Sequence, residues 1–441
     1  MPHDTRFNQY ALLGHDRSGR EYLKNEDNPG GIEPIFLNIN TPWSAFLCGS
    51  QGSGKSHTLS CMLEGCLMPD KSLGKLPHPL KGIVFHYDQW SSGAVCEAAH
   101  LCSRGIKVNV LVSPSNFWKL NDAYKKLDDP DNHLTVRPLL LQPGHLNVER
   151  MLSLMAFNEK DGKVPLYMEV INRILRDMAI ASGGAPGFDY TAFKTRLDAE
   201  RFTGDQKGPM SLRLQLLESF LDFCGTQPTV PVSKKKKKEL VAAPAIDIFK
   251  PDAGSLTIVD LTDPFVDASS ACTLFDICLA LFLEDPSPVG RVIALDEAHK
   301  YMNGNAGADR FTETLLTCIR IQRHAGCRII IATQEPTVSP KLLDLCSMTI
   351  VHRFTSPAWL TMLETHIAGL SRAAGKEADE LTRLFQEIVT LRVGEALLFA
   401  PSAMVRVSVG GEIRKLGVEC LRFKTRQRLT SDGGMSVLAM R

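Results

Sequence analysis

Residues 49–56 read Gly-Ser-Gln-Gly-Ser-Gly-Lys-Ser, which fits the spacing Gly-x(4)-Gly-Lys-[Ser/Thr]. Each part of that spacing serves a phosphate chain. Glycines let the backbone turn until consecutive N–H groups face the anion, and a helix opening near Lys55 adds the positive end of its dipole. The Lys55 ammonium would neutralise the β- and γ-phosphates, and the Ser56 hydroxyl is the type and position for a Mg²⁺ ligand. The expected cradle is Gly49, Ser50, Gln51, Gly52, Ser53, Gly54, Lys55, Ser56 and His57.

A second group lies 241 residues after Lys55, where four apolar residues, Val292–Leu295, run into Asp296-Glu297. Asp296 at a strand end is placed to hold Mg²⁺, and Glu297 to polarise an attacking water. An acid after a strand can instead cap the next helix. Two adjacent acids behind an apolar strand, in a chain that also carries a phosphate loop, favour the chemical role. Further on, Ala332-Thr333-Gln334-Glu335-Pro336 ends another apolar strand. There Gln334 is the candidate to touch the γ-phosphate or the water.

These residues need a scaffold that brings strand ends together. Apolar runs at 43–48, 82–87, 106–112, 135–141, 255–260, 291–296, 328–333 and 348–354 read as strands, and Pro138 assigns the fourth to an edge or a break. Helical spacing appears at 55–67, within 145–181, at 211–224, over 308–324 and near 377–391. Alternation of this kind predicts an α/β fold with a mainly parallel sheet sandwiched by helices. Residues 395–400 and 403–409 read as a C-terminal β-hairpin across Pro401-Ser402, Ser339-Pro340 as a helix start, and 182–210 as a loop or poorly packed insertion.

The chain divides into an N-terminal extension (1–40), a first part of the core (41–144), a mostly helical insertion with a lysine-rich linker (145–250), a second part of the core (251–412) and a basic tail (413–441). The tail holds seven Lys/Arg and two acids, and reads as flexible or as reaching for a partner. The run Lys234–Lys238 reads as a solvated linker, with a nuclear signal or a phosphate-contacting patch as the alternatives.

Composition excludes some classes. With 441 residues, 50 basic and 49 acidic, the net charge of +1 gives no global nucleic-acid signature. No run of about 18 apolar residues exists, so a membrane span is not expected. Twelve cysteines without paired spacing, behind a polar start, fit a reducing intracellular compartment, cytoplasmic or nuclear. Cys96, His100 and Cys102 are the cluster to test for metal, and they read first as buried thiols beside a surface histidine.

Asp296-Glu297-Ala298-His299 also spells the box of DEAH helicases, but the long spacing from Lys55 and the lack of a second motor domain argue against that family, so His299 reads as a packing or surface residue. The chain instead resembles the HerA/FtsK superfamily of P-loop ATPases, and is similar to fungal P-loop NTPase proteins. The resemblance rests on Gly49–Ser56, Asp296-Glu297, Arg323-His324-Ala325-Gly326, Ala332–Pro336, Val351-His352-Arg353, Gly394-Glu395-Ala396 and Ala400-Pro401-Ser402. It implies a core sheet order of 5-1-4-3-2, ATP and Mg²⁺ as cofactors, and a homo-oligomer, commonly a hexameric ring. It also implies an arginine supplied to the neighbouring subunit. Arg323 matches that arginine by position and Arg353 a second one, with Arg310 and Arg320 as competitors.

The β-barrel of HerA-type proteins, and the membrane spans and winged-helix DNA reader of FtsK-type ones, are not seen in the sequence. The expected function is therefore a Mg²⁺-dependent ATP hydrolase acting as a motor on DNA. A protein-remodelling or assembly ATPase and a nucleotide-switched binding module remain as alternatives.

Overall fold

The computed structural model describes residues 7–17, 33–90, 95–155, 166–183, 188–222, 249–367, 378–407 and 413–431. The lysine run at 234–238 lies outside them.

The strands that alternate with helices form the centre of the fold. They are β3 (Ser44–Cys48), β5 (Lys81–His86), β6 (Val108–Val112), β7 (Leu134–Pro138), β8 (Leu256–Asp260), β9 (Arg291–Leu295), β10 (Cys327–Thr333) and β11 (Met348–His352). All run parallel, in the order β11-β3-β10-β9-β5-β8-β6-β7. With the phosphate-loop strand β3 counted as the first and β8, β6 and β7 set aside, β11-β3-β10-β9-β5 is the expected 5-1-4-3-2. β7 ends at Pro138 and forms the far edge, where a missing N–H leaves no ladder bond unmade.

β3, β5, β8, β9 and β10 are buried along their whole length, as strands covered on both faces must be. Alternate side chains enter two cores. Phe46, Phe85, Leu295 and Ile331 face one, and Ala45, Leu47, Val84, Ala294 and Ile330 face the other. The second core is closed by α1 (Lys55–Leu67) and α2 (Phe117–Tyr124).

The first core is closed by α3 (Val148–Met155), α4 (Leu166–Ala181), α5 (Tyr190–Asp198), α6 (Gly204–Ser219), α7 (Ala268–Leu283) and α8 (Ala306–Arg320). The short α9 (Gln322–Ala325) leads into β10, and α10 (Pro340–Leu345), α11 (Pro357–His366) and α12 (Ala378–Thr390) complete this face. Phe85, Phe275 and Phe311 meet at its centre with ring centroids 5.0, 5.5 and 6.1 Å apart. Asp267, Asn305, Ser339 and Ser356 cap α7, α8, α10 and α11 by accepting a backbone N–H three residues on, and Ser339-Pro340 starts a helix as expected.

Three expectations are corrected. Residues 182–210 hold α5 and the start of α6 where a loop or a poorly packed insertion was expected. Phe193 and Leu197 are buried in the first core, and the polar composition that suggested a loop belongs to the exposed faces of amphipathic helices. The expected hairpin does not form either. β12 (Glu395–Phe399) pairs antiparallel with β11, while β13 (Met404–Val407) pairs with β14 (Ile413–Lys415) in a separate two-stranded sheet.

The basic tail supplies β15 (Cys420–Thr425), which lies between β12 and β1 (Tyr10–Asp16). β1 in turn pairs with β2 (Pro34–Asn38) and β4 (Gly74–Lys75), so the N-terminal extension adds to the main sheet. Two of the tail's arginines are neutralised by acids far along the chain. Arg426 and Arg428 are buried against Glu64 of α1 and Glu97, with an Arg426 Nη1 to Glu64 Oε2 distance of 2.6 Å.

Candidate active site

The loop between β3 and α1 takes the conformation that its glycines permit. Gly49, Gly52 and Gly54 have φ of 150°, 71° and 108°. At two of them a side chain has no room. A Cβ on Gly49 would sit 2.7 Å from His352 Cβ, and one on Gly54 would sit 2.9 Å from Gly394 N. Gly394 N donates to Ser53 O at 3.1 Å, and Ser50 uses both its N–H and its hydroxyl on Arg353 O, at 2.8 Å each. The segments that follow β11 and precede β12 therefore brace the loop from the side. Ser53 Oγ and Lys55 Nζ both donate to Ser50 O, at 2.7 and 3.1 Å.

β3, β10 and β9 are neighbours and parallel, so their C-terminal ends lie on one edge of the sheet. That edge holds the phosphate loop, Gln334 and Asp296-Glu297. Gln334 Nε2 donates to Glu297 Oε2 at 3.0 Å. Burial pushes the Lys55 ammonium below its ordinary value, opposed by the negative charge of Glu297 and then Asp296. Three segments distant in sequence thus share one electrostatic site.

Glu297 has φ 49° and ψ 45°, a left-handed conformation that costs a non-glycine residue on the order of 1 kcal/mol or more. Asp296 Oδ2 is 3.2 Å from His86 Nδ1, while Asp296 Oδ1 is buried and takes no hydrogen bond. A hard divalent cation fits that spare carboxylate oxygen together with the Ser56 hydroxyl on the first turn of α1.

Other expected residues stand differently. The His57 ring faces away from the loop, with Nε2 2.8 Å from Arg426 O, so its side chain belongs to the contact between α1 and the C-terminal segment. Arg323 is exposed on α9, before β10 begins, and is therefore about 20 Å along that strand from Gln334. Arg310 donates to Ser153 Oγ and Arg320 is exposed. Cys96 and Cys102 are buried thiols, as first read, and with His100 they do not form a metal cluster among the described residues. Among the described residues Cys96 instead joins His86 and Asp296, because the turn at 97–104 brings it to the ends of β5 and β9.

Sequence reasoning missed two histidines. His299 has Nδ1 3.3 Å from Glu297 Oε2 and 3.4 Å from Gln334 N. Burial, with help from Lys300 and Lys55, outweighs Glu297 and holds the imidazole below its ordinary value, so the neutral ring accepts the Gln334 N–H. His352 lies fully buried under the loop, 3.1 Å from Thr58 Oγ1, and burial with the Lys55 charge pushes it down to about 3. The only sequence signal for His352 was its place in the Val351-His352-Arg353 segment, and for His299 its place two residues after Glu297.

No family model matches the sequence, and no curated protein matches it. Solved structures do. VirB4 of Thermoanaerobacter pseudethanolicus is similar over 97% of this chain and 98% of its own, with a TM-score of 0.56 at 12% identity. Plasmid coupling protein TrwB in complex with ADP and Mg²⁺ aligns over 97% of this chain and 96% of its own, with a TM-score of 0.49 at 11% identity. The VirB4 likeness is one of fold, a mostly parallel α/β sheet flanked by helices.

Proposed function

We propose that this chain is a Mg²⁺-dependent ATP hydrolase that works as a homo-oligomeric motor, in a ring commonly of six, on DNA. The observation that carries the hydrolase reading is the 3.0 Å contact between Gln334 and Glu297 on the sheet edge that also holds Lys55. A module that only binds nucleotide needs the phosphate loop, but it has no use for a carboxylate positioned by a neighbouring strand.

The loop N–H groups and Lys55 bind the phosphates, and Ser56 and Asp296 are the residues that would hold Mg²⁺, which supplies charge neutralisation at the β- and γ-oxygens. Glu297 orients water and accepts its proton, and Gln334 fixes the direction of the Glu297 carboxylate. Arg323, exposed and remote from its own chain's site, is free to reach the γ-phosphate bound by the adjacent subunit.

DNA is favoured by the surface beyond the ends of β5 and β6. Trp90 and Trp118 are exposed there, and Lys119, Lys125 and Lys126 are exposed on or just after α2. Aromatic faces beside cations are what single-stranded nucleic acid stacks on.

The test is phosphate release by the wild type and by Glu297→Gln, each with and without single- and double-stranded DNA. DNA should raise wild-type turnover, and Glu297→Gln should lower it roughly 10²-fold or more, the scale of a lost general base. Turnover indifferent to DNA removes DNA as the substrate and favours a protein-acting ATPase. Unchanged release by Glu297→Gln removes Glu297 from the catalytic role.

A further inference from the structure

We propose that His86, Cys96 and Asp296 form a binding site for a thiophilic divalent cation of the zinc class, and that filling it weakens the hold of Asp296 on Mg²⁺. The three residues come from the end of β5, the segment before the turn at 97–104 and the residue after β9, and their exposures are 6%, 0% and 4%. One donor atom from each lies within 4.8 Å of the others.

Zinc binds nitrogen, sulfur and oxygen at about 2.0–2.3 Å, so tetrahedral donors stand roughly 3.3–3.8 Å apart. His86 Nδ1 and Asp296 Oδ2, at 3.2 Å, stand just under that spacing. The adjacent β5 and β9 fix it, since Phe85 pairs with Leu295 one residue before each ligand. Side-chain rotation at Cys96 closes the remainder.

The local polar bookkeeping points the same way. His86 Nε2 and Asp296 Oδ1 are both buried without a hydrogen-bond partner, so no polar bond from the far side of either group fixes it away from the shared Nδ1–Oδ2 position. The donor set also distinguishes this position from the hard-ion position beside Ser56. Thiolate and imidazole select zinc-like ions, whereas Mg²⁺ requires oxygen. Three protein donors leave a fourth place for water. Asp296 belongs to both positions, through Oδ2 here and Oδ1 at the hard-ion position, so a cation on one oxygen draws on the shared carboxylate charge and repels a dication at the other. The existence of the site does not rest on the hydrolase reading; only the competition does.

The test uses the full chain freed of metal and titrated with Co²⁺. One equivalent per chain should produce a near-ultraviolet thiolate-to-cobalt charge-transfer band, and Zn²⁺ should displace it. Cys96→Ala should abolish the band. Cys102→Ala should keep it, because Cys102, also buried, bonds the Asp128 carbonyl and stands outside the cluster. His86→Gln should weaken Co²⁺ binding by roughly tenfold or more, since even residues that only orient ligands cost that much.

No band in the wild type, or a band that survives Cys96→Ala in a chain with wild-type circular dichroism, overturns the site. In a second arm, Zn²⁺ is added to phosphate-release assays at fixed Mg-ATP. It should inhibit the wild type and spare Cys96→Ala. A charge-transfer band together with zinc-insensitive wild-type hydrolysis keeps the site and overturns the competition.

Discussion

Replacing Arg426 by Met tests what anchors the phosphate-loop helix. The Arg426 guanidinium is 5% exposed and donates to Glu64 Oε2 at 2.6 Å, to Leu12 O at 2.7 Å, to Cys61 O at 3.0 Å and to Gln427 O at 2.9 Å. Glu64, in the last turn of α1, is fully buried. Removing one partner of such a pair costs about 3–5 kcal/mol, because the other charge is left unpaired in a medium that solvates it poorly. Here the lower half of that range is expected. Glu64 keeps hydrogen bonds from Thr430 Oγ1 at 2.6 Å, Thr430 N at 3.0 Å and Leu429 N at 3.1 Å.

Burial pushes the Glu64 carboxyl up, but the Thr430 hydroxyl and the Arg426 charge outweigh it and hold the group below its ordinary value. In the wild type, its contribution to stability is therefore present above the unfolded value and lost as pH falls through the folded one. Without Arg426 the burial effect gains, the carboxyl rises, and the penalty fades once the group can protonate. The variant's deficit should be largest near neutral pH and should shrink towards pH 5, and Glu64→Gln added to Arg426→Met should recover part of it.

The assay is urea unfolding followed by tryptophan fluorescence at both pH values, for the wild type, both single variants and the double variant. A loss below about 1 kcal/mol for Arg426→Met, or a deficit that does not shrink on acidification, would refute the argument.

Two further outcomes follow from the site. Gln334→Ala removes the one side-chain amide bonded to Glu297 among the described residues, so steady-state phosphate release should fall by roughly one to two orders of magnitude while nucleotide affinity, read by a fluorescent analogue, changes little; equal losses in both would make Gln334 a binding residue. His352, pushed down to about 3 by burial and the Lys55 charge, stays neutral in the fold while the unfolded chain takes up a proton near pH 6.5. The fold therefore loses about 2 kcal/mol between pH 7 and pH 5 through this one group, and His352→Gln should flatten that part of the denaturation profile; an unchanged slope would show that His352 takes up its proton in the folded state.

The chemistry and the central sheet were legible in the sequence because both are local. Gly49–Ser56 places a glycine turn, a cation and a hydroxyl within eight residues, and Asp296-Glu297 closes a run of four apolar residues. Apolar runs without alternation announce strands buried on both faces, and the β3, β9 and β10 segments are of that kind. The amphipathic stripe of Phe311, Leu315, Cys318 and Ile319 announced α8 in the same way. Where local composition misled, it did so because the surface of a packed helix resembles a loop, as at α5, or because basic side chains are paired with acids elsewhere in the chain, as Arg422, Arg426 and Arg428 are with Glu395, Glu64 and Glu97.

Only the tertiary structure decided which strand ends stand beside which. The parallel register of β9, β10 and β3 sets Gln334 against Glu297 and places His299 between them, although residues 297 and 334 are far apart in the chain. The same register, one strand further on, brings His86 to Asp296 and admits Cys96 as a third donor. The sequence determined what kinds of group the molecule owns, since residue type and short spacing fix local chemistry. The tertiary structure determined which of those groups share one buried volume, since strand pairing across two hundred residues is a property of the whole packed chain.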